Sequence, residues 1–417
     1  MELIEFLDKG ITMYHAVKTA EELLSDNGFK KLRIDESWSL ENFGKYYLII
    51  NDSTIIAFKV GKDEKSGFKI IGAHTDSPGF KLKPNGLVKS NGFYKLNTEV
   101  YGGPILETWF DRPLSLAGRV YLRSQKTYEP EFRLVNFDRD LLTIANLAIH
   151  MTRGNEEYKI NPQIHTLPIL GLGDGEVDVE EMISKELNIH KADILSYDIF
   201  IYSREKAGKI GLNGEFVSSG KIDNLGMVHA GLTALLNSQE NDNNQVFVAF
   251  DNEEIGSGTL QGAASSMFKD VLKKIHYALG GNEEEFINRI YKSFMISADQ
   301  AHSVHPNYSE KADITNIPII NRGPVIKESA RKSYATDAYS KAVLIDIFKK
   351  KNIPYQTYLN RSDIRGGSTI GSIIETGTGI RNIDIGNALL GMHSVRELAG
   401  LKDQEYMIDF MKAFYEV

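Results

Sequence analysis

The sequence predicts an α/β fold: a central, mixed but largely parallel sheet flanked by helices, with a β-rich module inserted into it. Three observations carry that prediction. The uninterrupted apolar run at 246–250 has the length and the β-branched and aromatic make-up of a strand buried on both faces, as in helix-covered parallel sheets, and the largely apolar segments 68–73 and 294–298 read as further strands. Each run breaks off into polar, chemically active residues, at the end where ligands bind in open α/β sheets. Between about Asn91 and Lys209 the texture changes to alternating apolar and polar residues, punctuated by Gly102, Gly103 and Pro104 and by Arg112 and Pro113, which suits antiparallel pairing.

The length of 417 residues suits one large domain plus a second module, read here as a discontinuous domain of 1–90 and 210–417 with 91–209 inserted. The net charge of −8 is spread along the chain without a basic stripe, which argues against nucleic acid as a partner. There is no cysteine, so thiolate nucleophiles, disulfides and cysteine-rich metal sites are excluded, and any metal must sit on His, Asp and Glu. No apolar run approaches 18 residues and the N-terminus is an acidic amphipathic stretch, so the expectation is a cytoplasmic protein with no membrane partner.

Taken in order, residues 1–35 read as helical, with Val17, Ala20, Leu23 and Leu24 at helical spacing and a stop at Asn27 and Gly28. His15 there reads as a half-buried helix histidine. Residues 46–60 hold two β-rich runs around Asn51, Asp52 and Ser53, a hairpin signal. The strand at 68–73 ends in His74, Thr75, Asp76, Ser77 and Pro78. Residues i and i+2 of an extended segment point to one side, so Asp76 is placed to accept a ring N–H of His74 and fix its tautomer for metal binding. Strands at 93–100 and 114–122 and a helix at 141–152 open the insertion, and an acidic loop-and-helix region follows to about His190. His150 ends the apolar face that Ile144, Leu147 and Ala148 give that helix, and by itself reads as a partly buried surface histidine.

Asp223 stands where a loop meets a helix at 227–236, a place that suits an N-cap as well as a ligand. The run at 246–250 ends in Asp251, Glu253 and Glu254; unpaired carboxylates leaving a buried strand need a cation or a shifted pKa. The strand at 294–298 ends in Asp299, with His302 and His305 beyond it, of which His302 reads as structural. Lys327 follows a short strand at 324–326, where a lysine is ordinarily solvated. Gly366, Gly367, Ser368, Thr369, Ile370 and Gly371 form a glycine-rich turn without the lysine of a phosphate loop, which gives nucleotide binding little support. A strand at 383–386 leads to Met392, His393, Ser394 and the closing helices.

Five candidate ligands thus lie at strand ends or strand-to-helix turns: His74, Asp223, Glu254, Asp299 and His393. Two divalent ions balance their three carboxylates together with one bridging hydroxide, and zinc takes this donor set readily, with cobalt and manganese open as alternatives. Glu253 is then left to take a proton from water.

The strings AHTDSPG, IDNLG, FDNEEIGSGT, SADQAHSVHPNY, GPVIK, GSTIG and MHSVRE, in this order and spacing, resemble the M18 metallopeptidases, the aspartyl aminopeptidases and their vacuolar and bacterial relatives. The likeness runs from Tyr14 to the last helix. It implies a zinc-peptidase-type catalytic domain with one zinc on His74 and Glu254, a second on Asp299 and His393, and Asp223 bridging both. It further implies that Asp76 orients His74, that Glu253 is the general base, and that the Asp223–Asn224 peptide is cis. The insertion would be a dimerisation domain, and homodimers would assemble into a dodecamer. His150 would reach into a neighbouring subunit's site to hold the oxyanion, and His305 would lie beside the metals.

The activity so implied is removal of an acidic N-terminal residue from peptides, with Lys327 nominated to read the acidic side chain. A neutral-residue preference on the same fold stays open. A carboxypeptidase or deacylase would need a cationic anchor for which no arginine motif stands out, and the paired glutamates fit amide hydrolysis better than phosphohydrolysis. An inactive oligomeric scaffold is the reading from another class; Glu253 standing beside all five ligands argues against it.

Overall fold

The apolar run ahead of the paired glutamates is the strand Asn244–Phe250 in the computed structural model, buried at every residue. It pairs in parallel with Phe68–His74, that strand with Phe294–Ala298, and that one in turn with Arg381–Gly386. These four form the middle of a sheet that has nine strands among the described residues, which are 1–63, 66–152, 159–173, 175–364 and 366–417. Its flanks bring the antiparallel pairings. Thr54–Lys59 runs against both Asn244–Phe250 and Lys45–Ile50, and Val325–Lys327 runs against Arg381–Gly386. Asn51 and Asp52 take the left-handed conformation that a tight hairpin turn needs.

Alternation sends side chains to two covered faces. Ile71, Ala73, Phe247, Ala249 and Ile296 pack with residues of the helices Met13–Asp26, Ile222–Asn237, Ala338–Lys351 and Leu401–Glu416. Ile70, Val246, Val248, Phe250 and Met295 pack with the helices Met267–Ala278, Glu283–Lys292 and Ile370–Thr378. Each large side chain fully buried this way contributes about 1.5–3 kcal/mol. Gly231 lets its helix close on the sheet, since a Cβ there would meet the Phe247 ring at 2.6 Å.

Contacts divide the chain into two units. The first is Met1–Asp76, Ala207–Met392 and Glu397–Val417; the second is Ser77–Lys206 and His393–Arg396. The chain therefore leaves the first unit at Asp76 rather than at the boundary expected near 91, because Gly79–Ser90 pairs with Phe93–Tyr101 and Ile194–Ser203 in the second unit's own sheet. That sheet is antiparallel, in the order Glu131–Asn136, Leu114–Leu122, Ile194–Ser203, Gly79–Ser90, Phe93–Tyr101, Ile169–Leu172.

Three sequence expectations need correction. The helix expected over 141–152 is helical only at Ile149–Thr152; Leu142 and Ile144 form isolated bridges to Leu114 and Phe110 and bury alternate side chains, a period of two that outweighs the helical pattern. The N-terminal helical stretch is two helices, Leu3–Lys9 and Met13–Asp26, the second capped by Thr12, whose side chain also meets His15 Nδ1 at 2.8 Å. The chain closes with the strand Glu397–Gly400 and one helix, Leu401–Glu416. No helix among the described residues is long and apolar enough to cross a membrane.

Candidate metal centre

The site residues stand where buried backbone runs out of sheet. His74 is the last residue of its strand and is in register with Phe250, four residues before Glu254. Asp299 directly follows Phe294–Ala298. Three adjacent strands, two of them paired in parallel with the third between them, therefore end together, the arrangement in which α/β sheets bind ligands. Asp223 comes from the first turn of Ile222–Asn237, where Asp223 and Asn224 depart from helical geometry and the peptide between them is cis.

Together these placements converge His74, Asp223 and Glu254, each offering a ligand atom within 4.8 Å of the other two. His74 Nε2 lies 3.4 Å from Asp299 Oδ1 and 3.6 Å from Asp223 Oδ1. Its other nitrogen, Nδ1, lies 3.1 Å from the Asp76 carbonyl and 3.3 Å from Asp76 Oδ1, which turns Nε2 toward the carboxylates. Asp76 is itself held, since its two carboxylate oxygens accept the N–H groups of Glu253 and Glu254, each at 3.1 Å.

Burial and like charge set the electrostatics. Burial, then the charge of Asp299, pushes the Asp223 carboxyl well above the usual range, and burial, then Asp223, does the same for Glu254. Burial, opposed by His74 and reinforced by Asp299, pushes Glu253 up to about 7. Burial disfavours the His74 imidazolium, yet Asp299 and Asp76 outweigh it and lift the ring well above its ordinary value. Asp299 goes the other way: burial works against its charge, but Lys327 holds it well below the usual range. A nest of carboxylates driven toward protonation, with an imidazole among them, has the donor chemistry for a divalent cation of the zinc type.

Lys327 departs from its sequence reading as a solvated residue. It is 2% exposed, donates to Asp299 Oδ2 at 3.0 Å and to the Gln300 carbonyl at 3.1 Å, and lies over the Tyr334 ring at 5.2 Å. Pattern reading also passed over Glu397, which accepts the Asp223 N–H at 2.9 Å, and Gln300, which donates to the Ile222 carbonyl at 3.0 Å. Both stand in strings noted for other residues, MHSVRE and SADQ, but neither position has a local signature.

His305 is half-buried; its Nδ1 accepts the Asn307 N–H at 3.1 Å, and it lines a cleft of about 350 Å³ with His302, Tyr358 and Asn360. Within the second unit, His393 Nδ1 donates to the Gly103 carbonyl at 3.0 Å. His150 is exposed in the short helix Ile149–Thr152, in that same unit.

The family model described as Aminopeptidase I zinc metalloprotease (M18) matches residues 6–415. A probable M18 family aminopeptidase 2 of Clostridium acetobutylicum is 48% identical over 424 residues, covering 100% of this chain and 98% of the relative. Among solved structures, a chain of the cryo-EM structure of the Ape4 and Nbr1 complex superposes with a TM-score of 0.94 at 35% identity, over 99% of this chain and 84% of that one. The S. cerevisiae mApe1 dodecamer gives 0.86 at 25% identity, over 99% and 95%. This similarity takes in the strand ends, the turn at Asp223 and the whole stretch between them, and the chain accordingly belongs to the M18 family of zinc metallo-aminopeptidases.

Proposed function

We propose that the chain is a binuclear aminopeptidase that releases acidic N-terminal residues, with Glu253 as its general base. The observation that supports it most is the convergence of His74, Asp223 and Glu254 beside a second glutamate, Glu253, whose backbone N–H is held by Asp76. Two ions, zinc before cobalt or manganese, would be held by His74 and Glu254, by Asp299 and His393, and by Asp223 between them. Bound there, they supply Lewis-acid polarisation of the scissile carbonyl and acidify water. His393 is carried forward as a ligand because its Nδ1–H rests on a backbone carbonyl, the partner that metal-ligating histidines commonly have.

Glu253 takes the proton of the attacking water and passes it to the leaving amine. Asp76 holds the His74 ring and the backbone of both glutamates, so ligand and base keep their spacing. Glu254 and Asp299 give the negative surroundings that a substrate α-ammonium needs. An ammonium has three donors, and Lys327 uses two on Asp299 and Gln300; the third is assigned to the acidic side chain of the substrate. His305 is assigned to the substrate cleft. His150 is assigned to the oxyanion of a neighbouring subunit's substrate, with the inserted unit as a dimerisation module, assembly to a dodecamer as in the S. cerevisiae relative, and work in the cytoplasm.

A neutral-residue preference has one observation in its favour: Lys327 is buried and paired with Asp299, so its charge is already balanced. Release of the first residue from matched peptides beginning with Asp, Glu, Leu, Ala or Lys, with and without chelator, decides between the two. The expected result is metal-dependent release led by Asp and Glu, with Lys327→Met losing that preference. Release led by Leu or Ala keeps the mechanism and removes Lys327 from specificity.

A further inference from the structure

The peptide unit that delivers Asp223 is gripped at both ends. Its carbonyl, from Ile222, accepts from Gln300 Nε2 at 3.0 Å, and its N–H, from Asp223, donates to Glu397 Oε2 at 2.9 Å. Both side chains are nearly sealed from water, at 2% and 3% exposure. One residue on, Asn224 Nδ2 donates to the Ala298 carbonyl at 2.9 Å, next to Asp299. Burying an amide and a carboxylate is costly, and the cost is offset only where they make specific hydrogen bonds. Gly226 adds a steric condition, since a Cβ there would stand 2.6 Å from Gln300 Nε2. Alanine is ordinarily the better helix residue; at this position it would drive the Gln300 amide off the Ile222 carbonyl.

We propose that Glu397, Gln300 and Gly226 form a positioning element that aims the Asp223 carboxylate for metal binding, an inference that rests on reading Asp223 as a ligand. Three separate segments of the first unit meet on one peptide unit: Gln300 follows the end of Phe294–Ala298, Glu397 opens a strand in register with Ser219, and Gly226 lies in the helix that carries Asp223. The three residues act through Asp223, so their signature is altered metal affinity without a matching loss of fold.

The test is zinc titration of the metal-free protein against a chromophoric chelator, alongside thermal unfolding of the metal-free form. Gln300→Met and Gly226→Ala are expected to weaken at least one zinc equivalent by roughly 10–100-fold, the range for residues that orient ligands, while the metal-free protein still unfolds in one cooperative transition, at a midpoint lowered by the buried hydrogen bond that is lost. Glu397→Gln, which keeps an acceptor oxygen, should stay close to wild type where Glu397→Ala does not. Wild-type zinc affinity in both Gln300→Met and Gly226→Ala overturns the proposal, as does a Glu397→Gln as weak as Glu397→Ala. Should Gln300→Met fail to fold, Gly226→Ala, which removes no buried atom, carries the test. Asp223→Asn separates the two ways of failing: if it binds zinc as wild type does, the reading of the metal centre falls rather than the positioning.

Discussion

The two units bury their strands in different ways. Asn244–Phe250 in the first is covered at every residue and Leu114–Leu122 in the second nearly so, whereas Phe93–Tyr101 in the second alternates between covered and open positions. A strand sealed on both faces has room for polar chemistry only where it ends, and burial around that end raises the carboxyls of Asp223, Glu253 and Glu254. A sheet open on one side presents half its residues to solvent or to another chain. Outside that sheet, in the short helix Ile149–Thr152, His150 sits between Ile149 and Met151, which are 72% and 74% exposed. Histidine is thus a buried ligand candidate at His74 and an exposed side chain at His150, and its surroundings set what it can do.

The largest expected effect tests whether the chemistry is concentrated in the first unit. Glu253→Gln should lower kcat by roughly 10²–10⁴, the usual worth of a general acid–base group, with zinc content unchanged by metal analysis. Retained turnover would remove Glu253 as the base. His150→Phe probes the opposite claim, that an exposed residue of the second unit is also needed; a loss of about 10²–10³ is expected for an oxyanion donor, again without release of zinc. Unchanged turnover would remove His150 from the catalytic machinery.

Packing offers the next contrast. Phe247→Ala should cost about 3–5 kcal/mol in denaturant unfolding, while Phe93→Ala, at a side chain 41% exposed, should stay within about 0.5 kcal/mol. Similar costs at both sites would mean that the strands Asn244–Phe250 and Phe93–Tyr101 are not covered as differently as their burial indicates.

The last contrast is a pH dependence of metal uptake. His74, Asp223 and Glu254 have raised pKa values in the metal-free protein, so they hold protons that ligation must displace. Protons therefore compete with the metal, and zinc affinity should fall as pH drops through the range in which these groups titrate, by roughly tenfold per pH unit for each proton released. Titrations in buffers of different ionisation enthalpy would count those protons. An affinity that does not change as pH is lowered would contradict the crowding of charge described for the first unit.

Much of this was legible in the sequence, for local reasons. His74, Glu254 and Asp299 announce themselves because each ends an apolar run of strand length, and the hairpin at Asn51 and Asp52 is written in its turn residues. What the sequence concealed depends on distant partners. Leu142 and Ile144 look helical beside Leu147 and Ala148 until Leu114 and Phe110 are there to pair with. Lys327 looks solvated until Asp299, 28 positions earlier in the chain, is placed against it. Glu397 lies 174 positions from the N–H it accepts, beyond the reach of any short-range pattern. The first unit's edge was misjudged by a strand because Gly79–Ser90 follows the site without a break in composition and shows its allegiance only in pairing.

Asp76 has a consequence for anyone wishing to rebuild this site. Its one side chain fastens the ring of His74 and the backbone of the loop at Glu253 and Glu254, and it is also the last residue before the chain departs into the second unit. Grafting a foreign loop after Phe250, or replacing the insertion at its upstream junction, disturbs the same carboxylate from opposite directions. Modular redesign of the protein therefore has a fixed point: cuts belong downstream of Asp76, and a transplanted loop must present two backbone N–H groups to it.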